Sequence, residues 1–146
     1  MRTGVLLPAF LLLSCLPQEE IRLPYAPVNL TVNLAYLDKD LVPFYSFKIF
    51  RPGDRLLAGD RVGFGGLLVF NNNGNYQAYD IACPVEVSAK TVVTPSEEGS
   101  LFVTCPTCGT RYSLIDGGIP VEGTGTYRLQ PYNVFQKSAT ELIISN

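Results

Sequence analysis

Cys83-Pro84-Val85-Glu86 and Cys105-Pro106-Thr107-Cys108-Gly109 are the two stretches on which the reading of this chain turns. Each opens with a cysteine followed at once by proline, and each follows a run of strand-forming residues. Both therefore read as loops that present thiols at the ends of strands. Nineteen residues separate Val85 from Cys105, and the chain contains four cysteines and no histidine. The familiar pairing of a nucleophile with a histidine base is thus absent by composition.

Outward from these loops the sequence predicts strands separated by short turns. Residues 28–34 alternate apolar and polar side chains, the pattern of a half-buried strand, and 44–50 repeat it. Residues 65–70 and 76–80 read as a hairpin around an Asn-Gly tip at 71–75. Residues 101–104 lead into the second cysteine loop and 111–114 lead out of it, while 127–129, 133–136 and 141–144 read as closing strands. Pro52-Gly53-Asp54 and Asp116-Gly117-Gly118 are turns. No stretch carries a helical period, so the expected architecture is all-β, an antiparallel β-sandwich or small barrel with two cysteine-bearing loops. Gly65-Gly66 belongs to strand and turn rather than to a phosphate loop, since no lysine follows it.

With 146 residues the chain is long enough for one domain with a substantial core. Its net charge of −2 and scattered Lys and Arg argue against nucleic acid as a partner. Met1-Arg2 followed by the apolar run 5–13 is a secretory signal by length and flank, too short for a permanent span. Its end, Leu12-Leu13-Ser14-Cys15, resembles the bacterial lipobox. That resemblance implies cleavage after Ser14, lipid on Cys15, and attachment to a membrane of the cell envelope, the outer membrane being favoured. Gln18-Glu19-Glu20 resembles the surface-export signals of Bacteroidetes lipoproteins, and it reads equally well as solvated linker. The expected organisation is a lipoprotein signal peptide at 1–14, a proline-rich tether at 15–27 and one β domain at 28–146. Tyr25, Tyr36, Phe44 and Tyr45 are candidates for an exposed aromatic patch, with core or edge packing the commoner role.

The two cysteine loops and their flanking strands, 66–84 and 105–113, resemble the cluster-binding half of Rieske-type [2Fe–2S] domains, which are written Cys-x-His and Cys-x-x-His. The resemblance spans residues 56–144. It implies the Rieske-like β fold, with Cys83 and Cys105 matching the two thiolates of the first iron. It also implies that Asp116-Gly117-Gly118-Ile119-Pro120-Val121-Glu122-Gly123 is the segment covering the cluster. Val85 and Cys108 stand where the two histidines belong. Valine offers no lone pair, so a His-ligated Rieske centre is excluded and a [2Fe–2S] cluster is left one ligand short, with Glu86 or Asp80 the carboxylates near enough in sequence to substitute.

Three uses of the thiols stay open at this point. A Cys83–Cys105 disulfide would staple the loops and contribute about 3 kcal/mol for a closed loop of this length; Cys105 with Cys108 is the other pairing. Zinc or another single metal on Cys83, Cys105, Cys108 and Glu86 or water is the second use, and a [2Fe–2S] cluster with a substitute ligand is the third. The favoured expectation is a lipid-anchored, non-catalytic structural or interaction module with a disulfide at the former cluster site. The alternative is an electron-transfer protein, with an envelope or redox partner.

Overall fold

The computed structural model describes residues 22–54, 57–97 and 100–146. The signal run, Cys15 and the acidic Gln18-Glu19-Glu20 lie outside them. The described chain is all-β and antiparallel, and its helical content is one 3-10 turn at Lys39–Leu41. No helix among the described residues is long and apolar enough to cross a membrane.

Eleven strands follow one another: β1 Val28–Asn33, β2 Phe47–Phe50, β3 Arg61–Val62, β4 Leu67–Asn72, β5 Asn75–Asp80, β6 Thr94–Pro95, β7 Phe102–Thr104, β8 Arg111–Ser113, β9 Ile119–Glu122, β10 Pro131–Ser138 and β11 Glu141–Ser145. They form a seven-stranded sheet in the order β2-β4-β5-β10-β11-β1-β3 and a four-stranded sheet in the order β6-β7-β8-β9. Every named pairing is antiparallel.

Strand β4 of the large sheet sends side chains into two cores, and this explains its unbroken apolar run. Leu67 and Val69 enter one core with Leu30, Val32, Leu142 and Ile144, all contributed by the large sheet curling around its own interior. Leu68 and Phe70 point the other way, into a second core with Tyr79, Ile81, Val103, Tyr112, Leu114 and Leu129. A strand covered on both faces needs no polar alternation. The second core also contains Cys83 and Cys105, so the thiols are built on the apolar seam between the sheets.

Several expected boundaries shift for identifiable reasons. The β4–β5 hairpin is tighter than the 71–75 loop: its turn is Asn73-Gly74, with φ of 52° and 91°, and Asn72 already pairs with Asn75. Two left-handed residues match the twist of the flanking strands. The strand expected at 44–50 begins only at Phe47, because Tyr45 takes φ 63° and its amide donates to the Asn71 carbonyl in a turn. Residues 127–129 form no strand; Leu129 donates to the Gly118 carbonyl and is buried, while Tyr127 carries the Arg22 guanidinium 4.2 Å over its ring. Leu23 is buried as well, so the stretch expected as tether ends against the domain. The aromatic candidates are all exposed but do not make one patch. Tyr25 lines a cleft with Pro131 and Asn146, whereas Phe44 lies beside the hairpin tip at Gly74.

Candidate metal centre

The polypeptide carries the two cysteines in the same way twice. Beyond β5, the backbone of 81–83 keeps pairing: Val93 donates to the Ile81 carbonyl and Cys83 to the Thr91 carbonyl. The chain then turns, and the Val87 amide closes back on the Cys83 carbonyl at 2.9 Å. After β7, Cys105 donates to the Thr110 carbonyl, and the Gly109 amide closes on the Cys105 carbonyl at 2.9 Å. Each loop is thus a one-turn coil from a cysteine to the fourth residue after it, and each ends left-handed, at Val87 (φ 50°) and Gly109 (φ 71°). Glycine adopts that conformation freely. A β-branched valine does not, so the first loop holds Val87 at a backbone cost sustained by its surroundings.

These coils bring three sulfurs together. The Sγ atoms of Cys83, Cys105 and Cys108 all lie within 4.8 Å of one another, and all three cysteines are free. Cys83 and Cys108 Sγ are 3.7 Å apart. Cys83 and Cys105 are fully buried, and Cys108 reaches the surface in part. Around them, the Tyr112 hydroxyl sits 3.7 Å from Cys83 Sγ, and the Thr110 hydroxyl sits 3.2 Å from Cys108 Sγ. Thr110 Oγ1 also accepts the Gly125 amide at 3.0 Å.

Charge is distributed unevenly over the trio. Burial, assisted by the two neighbouring thiols, pushes Cys105 up to about 11 against the pull of the Cys108 and Thr107 amides. Burial also raises Cys108, but the Thr110 hydroxyl and amide together with the two thiols outweigh it and hold this thiol below its ordinary value. Tyr112 is raised by burial and by its contact with Cys83, so its hydroxyl stays protonated and available as a donor to sulfur.

The carboxylates expected as substitutes do not join the group. Asp80 is buried and fully used: Oδ1 accepts the Gly65 amide at 3.0 Å and the Ala82 amide at 2.8 Å, and Oδ2 accepts the Phe64 amide at 2.7 Å and the Tyr132 hydroxyl at 2.9 Å. It clamps the 63–65 turn to the backbone entering Cys83. Gly65 permits that approach, since a Cβ there would fall 2.8 Å from the Ala82 nitrogen. Among the described residues, Glu86 is not in the convergent donor group. The covering segment overlaps the expected one at its end. Ile119–Glu122 forms β9, paired to β8, and the close approach to the loops begins at the last residue of the expected segment: at Gly123 and Gly125 a Cβ would fall within 2.7–2.9 Å of Thr110 and Val85. Thr110, Tyr112 and the clamp made by Asp80 carried no motif in the sequence; they are recognised by position alone.

The separations discriminate between metal types. Thiolates on one tetrahedral ion, with metal–sulfur bonds of about 2.3 Å, stand about 3.8 Å apart. Two edge-sharing tetrahedra of the same bond length, as in a [2Fe–2S] cluster, place sulfurs bound to different irons about 5.3 Å apart or more. All three sulfurs here lie inside that limit. Cys108 therefore converges on the same point as Cys83 and Cys105 and does not stand off toward a second iron. Val85, packed against the second core, offers that iron nothing. The three sulfurs converge as the donors of a single soft ion do, and they supply three of the four ligands that a [2Fe–2S] cluster takes.

No family model and no curated protein matches the chain. One solved structure similar to it is the ferredoxin of carbazole 1,9a-dioxygenase from Nocardioides aromaticivorans IC177, at 19% sequence identity and a TM-score of 0.45, covering 79% of this chain and 96% of that one. At that identity and TM-score the likeness carries nothing about the site, whose chemistry rests on the three sulfurs described above.

Proposed function

We propose that this domain is a metal-binding module in which Cys83, Cys105 and Cys108 hold one soft ion of the zinc class, tying the two loops together. The carrying observation is the convergence of three thiols within 4.8 Å at the seam of the two sheets. The ion supplies a cross-link there, and the protein's part is to pre-form the donor set. The two coils fix the cysteine backbones, the Tyr112 hydroxyl lies against Cys83 Sγ and Thr110 Oγ1 accepts from Cys108 Sγ, and the fourth position is left to water or an external ligand. This reading takes the place of the expected Cys83–Cys105 staple. It keeps the Rieske-like frame that the cysteine spacing suggests while dropping the Rieske cofactor. Iron in the same three-thiolate site would make it a one-electron centre, so the identity of the ion separates the structural role from electron transfer.

The test is metal analysis of the full chain, reduced and reconstituted anaerobically with zinc or ferrous iron. One ion per chain, protecting three thiols from alkylation, is expected; three freely alkylated thiols in the presence of either metal would overturn the proposal. The Leu12-Leu13-Ser14-Cys15 run supports a second, independent element, attachment to the cell envelope by lipid on Cys15. Cys15→Ala is expected to move the protein from the membrane fraction to the soluble fraction of a bacterial host, and unchanged fractionation would refute the anchor.

A further inference from the structure

We infer that Cys83 and Cys108 are a redox-switched pair: peroxide joins them in a disulfide, and the bond withdraws two of the three thiolates from the metal. The pair stands on geometry. The two sulfurs are in contact at 3.7 Å, and a bond of about 2.05 Å is reached when each moves by less than about 1 Å. They belong to different loops, twenty-five positions apart in sequence, so the bond would join the two coils. Access is asymmetric in the way such chemistry requires. Cys108 is part-exposed beside the Thr110 hydroxyl, while Cys83 and Cys105 are wholly buried.

The chemistry balances as follows. The Cys108 thiolate attacks one peroxide oxygen, the O–O bond breaks, hydroxide leaves and takes a proton, and the sulfur becomes a sulfenic acid. The Cys83 sulfur then attacks the Cys108 sulfur; the S–S bond forms, the S–O bond breaks, and hydroxide leaves as water, taking the Cys83 thiol proton or, where Cys83 was a metal-bound thiolate, a proton from solvent. Two thiols lose two electrons, and one hydrogen peroxide is reduced to two waters. Cys105 remains as a lone buried thiol, too few donors for a soft ion. A dithiol reductant reverses the step by thiol–disulfide exchange.

The release half of this inference rests on the metal reading; the pairing half does not. The experiment treats the zinc-loaded full chain with one equivalent of hydrogen peroxide, follows zinc with a chromophoric chelator, and maps the disulfide by peptide mass spectrometry. One zinc released per disulfide formed between Cys83 and Cys108, with rebinding after dithiothreitol, is the expected result. Cys108→Ser should slow thiol loss to peroxide by about tenfold or more, while Cys105→Ser should still form the 83–108 bond. A bond mapped to Cys83–Cys105 or Cys105–Cys108, or over-oxidation of Cys108 without any bond, overturns the pairing. If the reduced protein binds no zinc but forms the 83–108 bond, the metal reading falls and the pairing stands.

Discussion

Replacing Asp80 by asparagine probes how the first cysteine loop is held. The carboxylate accepts four hydrogen bonds in the protein interior, two on each oxygen: Gly65 and Ala82 amides on Oδ1, the Phe64 amide and the Tyr132 hydroxyl on Oδ2. An amide side chain keeps one oxygen and turns the other acceptor into a donor, stranding two donors whichever way it rotates. A buried donor left without its partner costs about 1–3 kcal/mol, so Asp80→Asn should destabilise the domain by roughly 3 kcal/mol. Tyr132→Phe removes a single bond and leaves the three amides in place, for about 1 kcal/mol. The assay is urea unfolding of the reduced, metal-free full chain, comparing midpoints at unchanged slope. The reasoning also requires an effect on the site, because the Ala82 amide anchors the backbone one residue before Cys83. Zinc affinity should fall in Asp80→Asn more than in Tyr132→Phe. Asp80→Asn within about 0.5 kcal/mol of the parent, or equal to Tyr132→Phe, would refute the clamp.

Other outcomes follow from the same packing and electrostatics. Phe70→Ala opens a cavity in the core beneath the cysteines, where Phe70 is fully buried, and should cost about 3–5 kcal/mol by thermal or urea unfolding. Gly65→Ala should cost about 1–3 kcal/mol, because its Cβ would collide with the Ala82 backbone rather than with a movable side-chain tip. Stability of the metal-free domain should decline between pH 9 and 11. Cys105 is held near 11 in the fold against 9 unfolded, so the unfolded chain loses that proton first and gains on the native state as pH rises through the window. The Cys105 contribution is at most about 2–3 kcal/mol and should be missing from the pH profile of Cys105→Ser, while the buried Tyr79, Tyr112 and Tyr132, also raised, still weaken the fold above about pH 10; an unchanged decline between pH 9 and 10 in that variant would contradict it.

Much of the frame was legible in the sequence because it is written in local patterns. The alternation that marks β1, the Asn-Gly tip of the β4–β5 hairpin and the strand-then-cysteine order of both loops all survive in the structure. Strands β3 and β6, of two residues each, are too short for any period to register and exist only through their pairing partners. The 127–129 stretch has strand-like residues, but its backbone bond goes to Gly118 and Leu129 fills the second core instead. The sequence singles out Cys83, Cys105 and Cys108 as one candidate group, and the structure places their sulfurs within 4.8 Å of one another, with Cys83 and Cys108 in contact. That Cys108 meets Cys83 across twenty-five positions is a tertiary contact that the local coil, closed at Gly109 and flanked by the Thr110 hydroxyl, does not specify by itself. Asp80 shows the same limit from the other side. Proximity in sequence made it a candidate ligand, while its four acceptor contacts make it part of the scaffold.

X-ray absorption at the metal edge of the loaded, reduced protein tests the single-ion site most directly. The three convergent thiols predict a first shell of three sulfurs at about 2.3 Å, completed by one lighter atom and with no metal neighbour beyond it. A metal–metal distance of about 2.7 Å, the separation of two edge-sharing tetrahedra, would instead show an iron–sulfur cluster and contradict the account.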